Sequence, residues 1–319
     1  MTVDLEREFR ACTEAVTTLF HQEQEFGDWP EERDATREML KAAHGKLLRL
    51  KFHQGEESRN GADWLWWFVS AERSFGILIQ AKVLRRRKRS TGPWTIGFDH
   101  KVGVQHQDEL LYETADELGV PFAYMLYFGP PEYRTDVPKG LDRPEAMRDQ
   151  NMSVALLDGL MYWTQVRAFM DGRAPHRQRV DDAYRAARPL VSIAERAGDY
   201  EWRGVHFAYP DHLHIWQEIQ EDARTLGAAA VAGAMIRYLT AGRERQFVVT
   251  DSAPATVQRE VVYTELPQDR GHFPQPLLPY LLRGYRFLPP QYVEDALSGR
   301  TVVNLPESVA GLVVFDERV

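Results

Sequence analysis

The sequence contains a single cysteine, Cys12. No intramolecular disulfide can form, and no multi-cysteine zinc centre is available. No apolar run approaches the roughly 18 residues needed to cross a bilayer as a helix, so no membrane role is expected. The start, Met-Thr-Val-Asp-Leu-Glu-Arg-Glu, lacks the basic and apolar regions of a secretory signal. Base is not in excess: 39 Lys and Arg face 47 Asp and Glu, a net charge of −8. That argues against a surface coated for non-specific nucleic-acid binding, although a local basic strip is compatible with it because binding follows the local field. Also missing are a G-x-S-x-G nucleophile turn and a G-x-x-x-x-G-K-(S/T) phosphate loop. Serine-hydrolase and P-loop ATPase chemistry are set aside, and a cytoplasmic, soluble protein is expected.

What is present is an ordinary globular composition, 44% apolar and 27% charged over 319 residues. Eight Trp and fifteen Phe are enough for a sizeable core. Leu5, Phe9, Cys12, Val16 and Phe20 recur at helical spacing, which predicts a helix over 4–24. Met39, Leu40, Ala43, Leu47, Leu48 and Leu50 predict a second over 33–52, stopped by Gly55. Then the period changes. Asp63–Val69 reads as an aromatic-rich strand, and Phe75–Leu84 as a second strand buried on both faces. The short polar turn between them makes the pair a hairpin. A helix over 104–118, stopped by Gly119, leads to a third strand over 120–128. Helical patterns follow near 152–168, 178–198 and 211–241, with strands expected at 246–249, 257–263 and 311–315.

In the hairpin, Gln80 and Lys82 are two residues apart and share one face of the second strand. Asp63 opens the first strand, so it is brought near them at the same end. Hydrolysis of a phosphodiester needs a divalent cation on the phosphate, a positioned water and relief of developing charge. Oxygen ligands suit magnesium, and a nearby lysine can orient the water. Taken singly, Asp63 and Lys82 read more readily as a structural ion pair across the hairpin.

Gly61-Ala62-Asp63 followed by Gln80-Ala81-Lys82 resembles the PD-(D/E)XK nucleases, in which an acidic residue on one strand precedes (E/Q)-x-K on the next. More narrowly, GADW-x-WWF, FG-x-x-x-QAK and DHKVG-x-x-x-Q resemble an uncharacterised bacterial family with this core, over roughly residues 35–130. The resemblance implies an α/β fold with a restriction-endonuclease-like α-β-β-β-α-β core in residues 1–130. Residues 131–319 would be a mostly helical C-terminal region, either separate from or integral to the same domain, with a homo-oligomer or partner-protein surface. It implies Glu57 as a second carboxylate, with Glu56 as fallback, and Gln107 as a glutamine close to the site, with Gln105 second. The implied site comprises Glu57, Asp63, Gln80, Lys82 and Gln107. Glu57, Asp63 and Gln80 would hold magnesium or manganese, and Lys82 would position the attacking water. The implied function is a metal-dependent endonuclease acting on DNA, in defence against foreign DNA.

One departure matters: Gln80 stands where the pattern usually has glutamate. It can still offer a carbonyl oxygen, but the site loses a negative charge. That leaves open a second reading, a non-catalytic nucleic-acid- or protein-binding chain on a nuclease-like fold. Arg85, Arg86, Arg87, Lys88 and Arg89 follow Lys82 directly, either as a solvated turn or as contacts to flanking phosphates. Trp64, Trp66, Trp67 and Phe68 read as core rather than as base-stacking groups. His206, His212 and His214 read as structural or surface residues, while His100 falls within the resembling segment.

Overall fold

The computed structural model describes residues 5–43, 47–51, 64–86, 92–98, 100–102, 104–136, 149–159, 162, 166, 176–194, 205–207, 227–228, 230–234, 261–263, 284–302, 305–306 and 309–318. It is an α/β protein built on a mixed sheet. The helices are α1 (Leu5–Glu25), α2 (Glu32–Ala42), α3 (Gln107–Leu118), α4 (Pro131–Asp136), α5 (His176–Ala186) and α6 (Gln291–Leu297). The sheet strands are β1 (Leu47–Lys51), β2 (Trp64–Val69), β3 (Ser74–Val83), β4 (Phe122–Tyr127), β5 (Val154–Asp158), β6 (Arg188–Pro189), β7 (Tyr285–Arg286) and β8 (Gly311–Asp316).

Among the described residues these eight strands run in the order β1-β8-β2-β3-β4-β5-β6, with β7 pairing the start of β3. The expected hairpin is present: β2 and β3 pair antiparallel, Trp64 opposite Ile79 and Val69 opposite Ser74. β3 and β4 are parallel, with Gln80 opposite Tyr124 and Lys82 opposite Leu126. Parallel neighbours need a crossover, and α3 lies in it. α3 ends at Gly119, whose φ of 63° is the left-handed conformation glycine adopts without strain. There the N–H groups of Gly119 and Val120 reach back to the carbonyls of Asp116 and Ala115. Arg286 of β7 also donates to the carbonyls of Leu118 and Gly119 at 3.1 and 3.2 Å, which fixes this helix end to the sheet.

All ten residues of β3 are buried, as its nearly continuous apolar run anticipates. Alternation sends Phe75, Ile77, Ile79, Ala81 and Val83 into one core, shared with Phe9, Val16 and Phe20 of α1 and Met39 and Leu40 of α2. Leu78 and, just beyond the strand, Leu84 enter the other core, with Leu111 and Ala115 of α3 and Tyr124 of β4. Gly76 on this second face is required by close approach, since a Cβ there would lie 2.5 Å from the Trp67 ring.

Two expectations are corrected. The helix read over 33–52 ends at Ala42, and Leu47–Lys51 is β1, paired antiparallel with β8. Of the helix read near 152–168, Val154–Asp158 is instead β5, while Gly159, Tyr162 and Val166 beyond it are helical. In each case a short apolar run fits both periods, and a partner strand decides. For β1 that partner is β8, at the other end of the chain. Of the helix read over 178–198, α5 covers His176–Ala186, and β6 and a 3-10 turn over Leu190–Ile193 follow. Residues beyond 130 thus contribute β5, β6, β7 and β8 to the same sheet as β1 to β4. A separate parallel pair joins Val205–Phe207 to Val261–Tyr263. The strand read at 246–249 lies outside the described residues.

Candidate active site

β3 carries Gln80 and Lys82 on the face that meets α3. Both are buried, 1% and 4% exposed. Lys82 Nζ donates to Gln107 Oε1 at 2.7 Å. Gln107 is the first residue of α3 and half-buried, so the helix start is placed directly over the lysine. A lysine only donates. The Gln107 oxygen must therefore face Lys82, which settles the orientation of that amide and turns its NH2 group away. Gln105, the second choice, donates instead to Glu113 at 2.9 Å.

Both polar atoms of the Gln80 side chain are buried and have no hydrogen-bond partner. Burying an amide unpaired is costly, so an unpartnered glutamine beside a lysine marks a place where a ligand atom can repay that cost. Oxygen donors of this kind suit a hard cation such as magnesium. Among the described residues no group of three or more His, Cys, Asp or Glu side chains is gathered closely enough to hold a metal. Glu57 and Asp63 lie outside the described residues, as do Glu56, Arg87, Lys88, Arg89, His212 and His214. Trp64, the residue after Asp63, sits opposite Ile79, the residue before Gln80.

Arg85 is exposed, and Arg85–Arg86 pairs with Trp94–Thr95. Arg86 is spent locally: its Nε donates to the Gly92 carbonyl at 3.2 Å and its guanidinium lies 5.1 Å from the Trp94 ring centroid. Trp64, Trp66, Trp67 and Phe68 are buried, as core residues would be, which removes them as stacking platforms. His100 is exposed, and its backbone carbonyl accepts the Gln107 N–H at 3.0 Å.

Two polar residues near this site carry no signal in the sequence. Asp108, next to Gln107 and fully buried, accepts the Tyr162 hydroxyl at 3.1 Å and the Glu109 N–H at 3.1 Å. Tyr162 is itself buried against Tyr124 and Phe98, with ring centroids 4.6 and 5.2 Å away. An acid in the first turn of a helix is common, and nothing local in sequence links Asp108 to a tyrosine 54 residues on.

Neither a curated protein nor a solved structure matches the chain. A family model does match, over residues 35–318, a span that contains every strand of the sheet and the Gln80, Lys82 and Gln107 cluster. The chain belongs to that family, described as a family of unknown function (DUF6615).

Proposed function

We propose that the chain is a metal-dependent endonuclease that hydrolyses DNA phosphodiester bonds, in defence against foreign DNA. The observation that carries this reading is Lys82, buried on β3, held by Gln107 and flanked by the unpartnered amide of Gln80. The restriction-endonuclease-like core finds support in the element order: α2, β1, β2, β3, α3 and β4 follow one another as helix, three strands, helix and strand. One feature is additional to that core, since β8 stands between β1 and β2 in the sheet.

Asp63, Glu57 and the Gln80 carbonyl oxygen would hold one magnesium or manganese ion. When bound, that ion would acidify a water and offset charge on the phosphate. Lys82 would orient the attacking water and donate to a phosphate oxygen. Gln107 would hold the lysine in place for both tasks. Arg85, with Arg87, Lys88 and Arg89, would meet flanking phosphates, and Arg86 would brace that strip through Trp94. The test is cleavage of DNA with magnesium or manganese by Asp63→Ala and Lys82→Ala. Both are expected to abolish cleavage with the fold retained, and undiminished cleavage in both would sink the reading.

A second reading is favoured by the neutrality of Gln80: a non-catalytic chain on the same fold, binding nucleic acid. It requires salt-dependent binding without cleavage under either metal.

A further inference from the structure

A carboxylate beside Lys82 would repel a phosphate until a cation intervened. Here the same position is a neutral amide. Gln80 is 1% exposed with neither polar atom partnered, so its NH2 group is free to donate whichever way the amide is turned. Lys82 has three N–H donors and uses one, on Gln107. The Gln107 NH2 group points away from the lysine, on a half-buried residue. Asp108, next to Gln107 in the chain, directs its oxygens to Tyr162 and to the Glu109 N–H. Among the described residues the cluster therefore offers one cation and two amides, a donor-rich set in a setting where water competes weakly.

We propose that Gln80, Lys82 and Gln107 form a phosphate receptor that works without a divalent ion, with Gln80 as the residue that makes metal-free binding possible. The inference rests on reading this cluster as a phosphodiester site, and it sets an order: phosphate is bound first, and the cation is needed for chemistry rather than for capture. A carboxylate at position 80 reverses that order.

The experiment is equilibrium binding to the full chain in EDTA, with inorganic phosphate and with a short DNA duplex as separate probes. The unsubstituted chain is expected to bind both, and Lys82→Met to lose phosphate. Gln80→Glu is expected to weaken phosphate binding on the order of tenfold or more, because like charges are brought together in a poorly screened site, and magnesium is expected to restore it. Gln80→Met, which removes the amide without adding charge, is expected to weaken it several-fold and serves if the glutamate variant does not fold. Phosphate binding in EDTA unaltered by both Gln80 substitutions overturns the proposal. So does capture of the duplex without any binding of inorganic phosphate, which would place recognition elsewhere on the chain. If phosphate binds as expected but no DNA is cleaved with magnesium or manganese, the nuclease reading fails and this one stands.

Discussion

The two faces of β3 are built from one strand and buried to the same degree, yet they do different work. On the face under α1 and α2, Phe75, Ile77, Ile79, Ala81 and Val83 are all apolar. On the face under α3, Gln80 and Lys82 interrupt the apolar series between Leu78 and Leu84. A buried lysine that donates to a neutral amide is poor material for stability. The apolar face holds the sheet, and the opposite face accepts an energetic penalty where a ligand group can relieve it.

The largest expected difference between the faces is in chemistry. Lys82→Met is expected to lower DNA cleavage at least about a thousandfold, the upper range for removing a charge-stabilising donor, while thermal unfolding stays level or rises because a buried charge has been replaced by an isosteric apolar chain. A large fall in melting temperature together with intact cleavage would erase the distinction. Ile79→Ala, adjacent in the strand and 3% exposed, is expected to do the reverse. It should cost about 2–5 kcal/mol in chemical denaturation, with cleavage per folded molecule nearly unchanged at low temperature.

A smaller effect is expected from Gln107→Leu. Lys82 stays in place but loses its 2.7 Å acceptor. Cleavage should fall about tenfold, the scale of a hydrogen bond to a charged group, with a smaller change in unfolding. A turnover equal to that of the unsubstituted chain would make the Lys82–Gln107 contact structural.

The smallest effect concerns the edge of the apolar face. Glu317 follows β8, its side chain occupies the space beside Gly227, and its Oε1 has no partner. Burial, and then the neighbouring Asp316 charge, push its carboxyl up to about 7. A raised carboxyl favours folding while protonated, so its contribution is present below about 4.5 and is lost as the pH rises through about 7. Glu317→Gln is therefore expected to raise the melting temperature at pH near 8 and leave it unchanged near 4. An equal shift at both pH values would show that the carboxyl is solvated.

Much of this asymmetry was legible in the chain. The period-two alternation of Phe75–Val83 put Gln80 and Lys82 on one face, and the helical spacing of Leu5 to Phe20 gave α1. Gln107 was singled out by resemblance, and the structure brings it onto Lys82. What was not legible depended on distant partners. Leu47, Leu48 and Leu50 fit a helical stripe and became β1 because β8, more than 250 residues later, pairs with them. The expected strand at 311–315 was read correctly as an element, but its insertion between β1 and β2 has no local signature. Asp108 and Tyr162 were missed for the same reason.

The most direct measurement is magnesium-dependent cleavage of DNA by the purified chain and by Lys82→Met side by side, with thermal unfolding recorded on the same samples. Cleavage by the unsubstituted chain, its loss in the variant and a melting temperature of the variant level with or above that of the unsubstituted chain are the expected result. Absence of cleavage by the unsubstituted chain with magnesium or manganese, or equal cleavage by both proteins, would contradict the assignment of the α3 face as a catalytic site.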